Sequence, residues 1–258
     1  MSYVLFEKQG DIGIITINRP EALNALSTAV LDDFYEVIGK IDTDEVRAVI
    51  ITGSGSRSFV AGADIGEMSA MTVAEALAYG KKGNDLFLQI ENLPVPVIAA
   101  VNGFCLGGGN ELAMSCDIRI CSENAVFGQP EVGLGITPGY GGTQRLARII
   151  PAGLAKELLF TGSNIKADRA LAIGLVNAVY PQDELMEQAM KLAGKIAKNA
   201  PVAVRACKEA VNKGLQTDIE HAVQIEEGLF SSCFATEDQK EGMKAFLEKR
   251  KVERYNNR

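Results

Sequence analysis

The sequence predicts a protein of the α/β class with a mostly helical C-terminal third. Short apolar segments typical of strands alternate with helix-like segments up to about residue 141, which is the pattern of a layered α/β fold. Beyond that point one helix-like segment follows another. With 258 residues, of which 47% are hydrophobic and 23% charged, the chain is long enough to bury one large core.

The alternating part begins with two strands joined by a turn at Gln9-Gly10-Asp11. Ser27 is expected to cap the first helix, because apolar residues recur at helical spacing after it. A second helix is predicted over 72–93 and a third over 107–115, where three glycines open it. The predicted strands are 4–7, 12–18, 48–52, 97–101, 118–121 and 125–127.

The last third is predicted to consist of helices with one short strand over 176–179. Their apolar residues recur along one face, which indicates packing against the core or against another subunit. A subdomain boundary is expected near Ser163 or somewhat later. The predicted helices are 143–150, 152–160, 168–173, 185–199, 201–213, 218–234 and 237–249.

Charge and cysteine content exclude several classes of function. The net charge of −7 and the lack of a basic stripe argue against a nucleic-acid surface. Five cysteines without a Cys-x-x-Cys pattern favour free thiols over disulfides or a zinc site. The long uncharged stretch 92–110 contains two prolines and four glycines, so it cannot form a membrane helix. We expect a cytoplasmic protein with no signal peptide and no metal.

Two glutamates stand out because they lie in the part of the chain that is richest in glycine. Ten of the 26 glycines fall between Gly103 and Gly142, and Glu111 and Glu131 lie among them. Glycine lets a backbone approach a ligand closely. Two carboxyl groups beside such a backbone favour acid–base chemistry on a substrate held by main-chain N–H groups. If Glu131 is buried, its pKa should rise, which suits a proton donor at neutral pH.

Two segments could supply the N–H donors that activation of a carbonyl requires. One is Gly107-Gly108-Gly109 at the start of a helix, where N–H groups are free. The other is the loop from Ala61 to Ile65. Each also has a structural interpretation, namely a tight strand-to-helix turn and a packed loop with Asp64 as an N-cap. Glu111 could equally form a surface salt bridge.

Other catalytic and binding motifs lack essential parts. The glycines at 53 and 55 follow a strand but lack the third glycine of a dinucleotide fingerprint. No Gly-Lys-Ser/Thr phosphate loop occurs. A serine triad would have to use His221, the sole histidine, which lies in an amphipathic helical stretch and is better interpreted as a surface residue.

Six segments in their order along the chain resemble the crotonase (enoyl-CoA hydratase/isomerase) superfamily. They are Asn18-Arg-Pro-Glu-Ala-Leu-Asn-Ala-Leu26, Phe59-Val-Ala-Gly-Ala-Asp-Ile65, Ala100-Val-Asn-Gly-Phe-Cys-Leu-Gly-Gly-Gly-Asn-Glu111, Phe127-Gly-Gln-Pro-Glu131, Pro138-Gly-Tyr-Gly-Gly-Thr-Gln-Arg145 and Ala245-Phe-Leu-Glu-Lys-Arg250. Each segment is weak alone, whereas the ordered set is specific and covers essentially the whole chain. Asn110 departs mildly from the family pattern, in which cysteine is common.

The resemblance implies a spiral of ββα units over 1–195 and a helical oligomerisation region over 196–258. A homotrimer or a dimer of trimers would result. It further implies that the N–H groups of Ala63 and Gly108 hold a thioester carbonyl. Glu111 would activate water for addition at the β carbon, and Glu131 would protonate the α carbon. Short-chain trans-2-enoyl-CoA would then be hydrated reversibly to 3-hydroxyacyl-CoA.

Coenzyme A would enter as part of the substrate, so the resemblance implies no separate cofactor. The residues implied in binding the acyl-CoA are Ala22, Leu23, Ala25, Ala61, Gly62, Asp64, Ile65, Gly107, Pro130, Gly139, Phe246 and Lys249. Phe246 and Lys249 could act on a neighbouring subunit. Tyr140 and the residues from Met68 to Tyr79 are expected to line the acyl pocket.

Several alternatives remain open on the same fold. An enoyl-CoA isomerase or another lyase would share most of these segments. Retention of both glutamates favours a hydratase, because water must be oriented and a carbanion-like centre protonated. A non-catalytic acyl-CoA-binding protein is a further alternative, and an RNA-binding protein is disfavoured by the acidic charge balance.

Overall fold

The structure is a computed structural model that describes residues 2–257. In that range the chain forms two β-sheets and a set of helices. The strands are β1 (Val4–Gln9), β2 (Ile12–Ile17), β3 (Ala48–Gly53), β4 (Ser58–Val60), β5 (Val97–Val101), β6 (Phe104–Leu106), β7 (Ile118–Ser122), β8 (Val126–Gly128), β9 (Ile165–Lys166) and β10 (Ala178–Tyr180).

The helices connect these strands and then continue alone to the C-terminal region. They are α1 (Thr28–Gly39), α2 (Ile65–Met68), α3 (Val73–Glu91), α4 (Gly108–Ser115), α5 (Gly142–Ile149), α6 (Ala152–Thr161), α7 (Ala167–Ala172), α8 (Leu185–Ala197), α9 (Pro201–Gly214), α10 (Ile219–Cys233) and α11 (Glu237–Leu247). Two short 3-10 helices cover Pro20–Ala22 and Pro130–Leu134. No helix within residues 2–257 combines the length and the apolar character needed to cross a membrane.

The two sheets are built by a chain that winds between them. The larger sheet has the order β1-β2-β3-β5-β7-β10, and the smaller has the order β4-β6-β8-β9. Three successive turns of the chain each add one strand to each sheet, first β3 and β4, then β5 and β6, then β7 and β8. Within each sheet these strands pair in parallel. The predicted α/β class and its spiral of ββα units are confirmed.

The central strands of the larger sheet, β2, β3, β5 and β7, are buried almost throughout, which explains their continuous apolar character. In β3, Val49 and Ile51 face the main core, while Ala48 and Ile50 face the opposite side, because successive side chains alternate. Helix α8 covers that second side with its own buried apolar residues. The main core therefore lies between the larger sheet and helices α1 and α3 to α7, next to the smaller sheet.

The last helices lie outside this layered core. Helices α9 and α10 pack against each other, and the segment after α11 returns to the N-terminal end of β3. There, Arg47 donates hydrogen bonds to the carbonyls of Ala197 (3.1 Å) and Tyr255 (2.6 Å). The predicted division between residues 195 and 196 falls in the last turn of α8, whose earlier residues cover the sheet. The oligomerisation role of 196–258 stays a prediction.

The sequence missed three short strands and misplaced two others. Strands β4 and β6 contain only three residues each and β9 only two, so they are too short to show an alternating pattern. The strand predicted over 125–127 is β8, one residue later, and the strand predicted over 176–179 is β10, two residues later. In both cases the first predicted residue is buried by core packing and belongs to the preceding turn.

Candidate active site

A cavity of about 670 Å³ lies between the smaller sheet, α4 and the segments that flank α3. Its walls are mostly apolar, and Glu111 and Glu131 are the acidic residues that line it. The lining residues are Ala61, Gly62, Ala63, Ile65, Met68, Met71, Ala76, Tyr79, Gly80, Leu106, Gly107, Gly108, Glu111, Pro130, Glu131, Leu134, Ile136, Thr137, Gly139 and Tyr140. Two carboxyl groups in an apolar cavity form a candidate acid–base site.

Glu111 lies in the first turn of α4 and is only 1% exposed. Its Oε1 atom accepts hydrogen bonds from the backbone N–H groups of Tyr140 (2.9 Å) and Gly142 (2.6 Å). Burial raises the pKa of Glu111 from 4.5 to about 7, although the Gly142 N–H opposes this rise, and the nearby Glu131 carboxylate adds to it. Glu111 is therefore oriented by the backbone and can change protonation state near neutral pH.

Glu131 lies in the 3-10 helix Pro130–Leu134 and is 8% exposed. Its Oε2 atom is buried and has no hydrogen-bond partner among the described residues. Burial raises the pKa of this carboxyl group, as expected from its position in an uncharged segment. Its own backbone N–H opposes this rise, so burial is the cause that favours the protonated form, which suits a proton donor.

Two backbone N–H groups meet beside these carboxyl groups. The parallel bridge between Leu26 and Ala63 uses the carbonyl of Gly62 and the N–H of Asp64, so the N–H of Ala63 points to the other side. Gly108 is the first residue of α4, and its N–H therefore has no acceptor within the helix. Both residues line the cavity. Two N–H groups of this kind at one cavity are candidate donors to a developing oxyanion.

The glycines at 107 and 108 are required by this close approach. Gly107 has a φ of +49°, and a methyl group there would lie 2.8 Å from Oε1 of Glu131. A methyl group at Gly108 would lie 3.4 Å from the nitrogen of Ala63. Because these two positions carry no side chain, the backbone at Ala63 and Gly108 and the carboxyl group of Glu131 can lie close together at the cavity.

An aromatic cluster lies beside the cavity. The ring of Tyr140 packs against Tyr79, with ring centroids 5.6 Å apart, and edge-on against Phe87, with centroids 5.5 Å apart. The Tyr79 hydroxyl donates to the carbonyl of Leu26 (2.5 Å), which fixes its position. Gly83 of α3 makes room for Tyr140, because a methyl group there would collide with the ring. The sequence-based expectation placed Tyr140 and the segment from Met68 to Tyr79 here, and Met68, Met71, Ala76, Tyr79 and Tyr140 do line the cavity.

The loop with Ala22, Leu23 and Ala25 lies outside the cavity lining and is held next to it by polar contacts. Arg19 forms an ion pair with Asp64 (2.7 Å) and so links this loop to the Ala61–Ile65 segment. Asn24 is buried with a φ of +60°, and its amide donates to the carbonyls of Ser54 (3.1 Å) and Ser58 (2.9 Å). Asp64 also caps α2 by accepting from the N–H of Glu67 (3.2 Å), as predicted.

The structure brings together ten of the sequence-predicted site residues at the cavity and leaves six outside its lining. The ten are Ala61, Gly62, Ala63, Ile65, Gly107, Gly108, Glu111, Pro130, Glu131 and Gly139, and the six are Ala22, Leu23, Ala25, Asp64, Phe246 and Lys249. Phe246 is 83% exposed near the end of α11. Ala22, Leu23, Ala25 and Asp64 border the cavity through the Arg19–Asp64 link.

Sequence reasoning missed the residues that support the site from behind. Asn24 anchors its loop, and Arg145, Glu91 and Asn84 anchor the turn that binds Glu111. Asn24 could have been suspected, because asparagine tolerates the left-handed conformation better than other side chains do. Pairing of Arg145 with Glu91 joins residues 54 positions apart, and no local pattern marks such a pair.

Fold and site together define an enzyme with two buried carboxyl groups at an apolar cavity. The family described as Enoyl-CoA hydratase/isomerase matches residues 7–257. The chain belongs to the enoyl-CoA hydratase/isomerase family.

Individual relatives extend over the full chain. A short-chain-enoyl-CoA hydratase of Clostridium acetobutylicum is 58% identical over 259 residues, covering 100% of this chain and 99% of that protein. A crotonyl-CoA hydratase of Syntrophomonas wolfei is 53% identical over 250 residues, covering 96% of each chain. A crystal structure of enoyl-CoA hydratase from Bacillus anthracis superimposes with a TM-score of 0.96 at 40% identity, covering 99% of this chain and 100% of that one.

Proposed function

We propose that this protein catalyses the reversible addition of water to short-chain trans-2-enoyl-CoA, with crotonyl-CoA as substrate and 3-hydroxybutyryl-CoA as product. One observation carries the proposal: two buried carboxyl groups line the same apolar cavity as Ala63 and Gly108, whose N–H groups are not used by the Leu26 bridge or by the hydrogen bonds of α4. Relatives named as short-chain and crotonyl-CoA hydratases support the choice of substrate.

Polarisation of the thioester is the first step. The carbonyl oxygen accepts hydrogen bonds from the N–H groups of Ala63 and Gly108, which draw electron density away from the conjugated double bond. The β carbon becomes electrophilic, and the enolate that forms after attack is stabilised by the same donors. Donors aimed at a developing oxyanion typically contribute about 3 kcal/mol each to catalysis.

Proton transfer by the two glutamates completes the reaction. Ionised Glu111 takes a proton from water as the oxygen bonds to the β carbon, and protonated Glu131 gives its proton to the α carbon. The double bond becomes a single bond, and exchange of one proton with solvent restores both groups. Dehydration follows the same path in reverse, with the roles exchanged. The reaction as written needs no cofactor, because coenzyme A enters as part of the substrate.

We infer a preference for short acyl chains from the aromatic residues at the cavity. Tyr79 and Tyr140 line it and pack against each other, and Tyr140 also packs against Phe87, so a longer acyl chain directed at them would have to displace these rings. Crotonyl-CoA adds a single methyl group beyond the reacting carbons and fits such a site. A place in fatty acid or butanoate metabolism is consistent with this preference.

We further propose that the enzyme acts as a homotrimer or dimer of trimers in the cytoplasm. Large apolar side chains lie exposed on the last three helices, and a contiguous apolar patch typically marks a subunit interface. These residues include Val211, Leu215, Ile219, Phe230, Met243, Phe246 and Leu247. In an oligomer, Phe246 and Lys249 could reach the coenzyme A of a neighbouring subunit, while the loops at Ala22–Ala25 and Ala61–Ile65 hold it in their own subunit.

The test is the loss of enoyl-thioester absorbance with crotonyl-CoA, measured beside an eight-carbon 2-enoyl-CoA. We expect fast loss with crotonyl-CoA and slower loss with the longer substrate. Replacement Glu111→Gln should lower kcat by roughly 100- to 10,000-fold, because it removes an acid–base group. Glu123→Gln is the matched control, since Glu123 is exposed and distant from the cavity lining.

Absence of turnover by the unmodified protein would contradict the proposal. Conversion of a 3-enoyl-CoA to its 2-enoyl isomer without hydration would identify an isomerase, and consumption of a different acyl-CoA would identify another lyase. Tight binding of crotonyl-CoA without any conversion would identify an acyl-CoA-binding protein. A Glu111→Gln variant with the full hydration rate would refute the mechanism with two glutamates.

A further inference from the structure

The turn from Gly139 to Gly142 holds Glu111 and is itself held from the side opposite the cavity. Its N–H groups at Tyr140 and Gly142 bind Oε1 of Glu111. Its carbonyl groups face the other way, toward α3 and α5. The Tyr140 carbonyl accepts from Nη1 of Arg145 (2.9 Å), and the Gly139 carbonyl accepts from the amide of Asn84 (2.8 Å).

Arg145 is fixed in turn by an ion pair with Glu91. Its Nη2 and Nε atoms donate to the same carboxylate oxygen, at 2.8 and 3.2 Å. The Arg145 side chain is 11% exposed and that of Glu91 is 36% exposed, so the guanidinium end of the pair is shielded from solvent while the carboxylate end is partly open to it. A methyl group at Gly141, where φ is +92°, would collide with the Arg145 guanidinium. The turn and the guanidinium are therefore packed directly against each other.

We propose that Arg145, fixed by Glu91, is a positioning residue for Glu111: it acts through the Tyr140–Gly142 turn and keeps one carboxylate oxygen bound to the backbone. The other oxygen is thereby left to face the cavity and the attacking water. Arg145 is not among the residues that line the cavity, so it acts through the turn. The inference rests on the proposed hydratase function, in which Glu111 is the base.

The charges around Glu111 determine how its titration should respond to loss of Arg145. Burial raises the pKa of Glu111 to about 7, and the Glu131 carboxylate adds to this rise. The N–H groups of Gly142 and Tyr140 and the Arg145 guanidinium oppose it. Tyr79 from α3 and the Tyr140 side chain also lie at this cavity. Without Arg145, both the positive charge and the fixed N–H donors weaken, so the pKa of Glu111 should rise further.

The experiment compares Arg145→Gln with Arg148→Gln in the same helix. Arg148 is exposed and donates only to the carbonyl and side chain of Gln144, one turn earlier. We expect Arg145→Gln to lower kcat for crotonyl-CoA by roughly 10- to 100-fold, because a small displacement of a catalytic group costs about that much. KM should stay within about twofold, since the donors at Ala63 and Gly108 and the coenzyme A loops are unchanged.

Two further readouts separate positioning from general damage. The acid limb of the kcat profile should move to higher pH in Arg145→Gln and stay in place in Arg148→Gln. The carboxyl titration of Glu111, followed by NMR with ¹³C-carboxyl-labelled glutamate and assigned with Glu111→Gln, should move in the same direction without any substrate. Glu91→Gln should give a smaller effect of the same sign, because Arg145 keeps its bond to Tyr140.

The unmodified enzyme is assayed in parallel, so the two proposals can fail separately. If it does not hydrate crotonyl-CoA, the proposed function fails, whereas the NMR titration still tests the link between Arg145 and Glu111. If it does, the inference is overturned by a kcat of Arg145→Gln within about twofold of the unmodified enzyme. A loss of rate with an unmoved acid limb and an unmoved Glu111 titration would also overturn it, as would an equal loss in Arg148→Gln.

Discussion

Replacement of Glu111 by glutamine should stabilise the folded protein at neutral and alkaline pH while it lowers kcat. In the folded protein burial raises the pKa of this carboxyl group to about 7, whereas in the unfolded chain it should lie near the ordinary value of 4.5. Between these two values the unfolded chain loses its proton before the folded protein does. Stability therefore falls as pH rises through this window and stays at the lower level above about pH 7.

The size of the effect follows from the two pKa values. A difference of one pKa unit between the folded and unfolded states corresponds to about 1.36 kcal/mol in the free energy of unfolding. The rise from 4.5 to about 7 therefore corresponds to about 3 kcal/mol. At pH 5 the unfolded chain has already lost part of its Glu111 proton. The stabilisation of Glu111→Gln relative to the unmodified protein should therefore grow by about 2 to 3 kcal/mol between pH 5 and pH 8. Glutamine does not titrate, and its carbonyl oxygen can still accept from the N–H groups of Tyr140 and Gly142.

The assay is urea denaturation of Glu111→Gln and the unmodified protein at both pH values and one protein concentration, since subunit association shifts apparent stability. The difference between the two free energies of unfolding should grow in favour of Glu111→Gln as pH rises. Glu123→Gln, which changes an exposed glutamate, should show no such growth. A difference for Glu111→Gln that is the same at both pH values would refute the assignment of a raised pKa to Glu111.

Two further predictions concern the shape of the cavity. Tyr140→Ala should raise kcat/KM for an eight-carbon enoyl-CoA relative to crotonyl-CoA. The increase should be roughly fourfold for each methylene group that becomes buried, because each contributes about 0.8 kcal/mol. An unchanged ratio of the two kcat/KM values would show that Tyr140 does not limit chain length. Gly107→Ala should lower kcat by about 100-fold, since its methyl group would lie 2.8 Å from Oε1 of Glu131 and displace a catalytic group. A Gly107→Ala enzyme with an unchanged kcat would contradict the close packing described here.

Most of the fold could be predicted from local sequence because its principal elements are long enough to show their periods. The strands of the larger sheet have five or six residues, apart from β10, and α3 has 19. Helix caps were equally local: Ser27 accepts from the N–H of Val30, and Asp64 accepts from that of Glu67. The smaller sheet could not be predicted in this way, because its strands have two or three residues and are defined by their partners in the spiral.

The candidate site could be predicted from the sequence where a catalytic type of side chain lies in a segment whose backbone requires glycine or lacks other charges. Glu111 follows the glycines that open α4, and Glu131 lies isolated in an uncharged segment, so both positions carried a local signal. The residues that support the site from a distance carried no such local signal. Glu91 and Arg145 are ordinary charged residues in their own helices, and only the packing of α3 against the Tyr140 turn makes them partners.

The two glutamates are best understood as a coupled pair of buried carboxyl groups. Burial raises the pKa of each, and the Glu131 carboxylate further raises that of Glu111, so the cavity disfavours the state in which both are ionised. Two backbone N–H groups bind Glu111 and favour its ionised form, while Oε2 of Glu131 has no donor among residues 2–257. In the proposed mechanism, hydration starts with Glu111 ionised and Glu131 protonated and leaves the proton on Glu111, which is the state from which dehydration starts. A single site would therefore catalyse both directions.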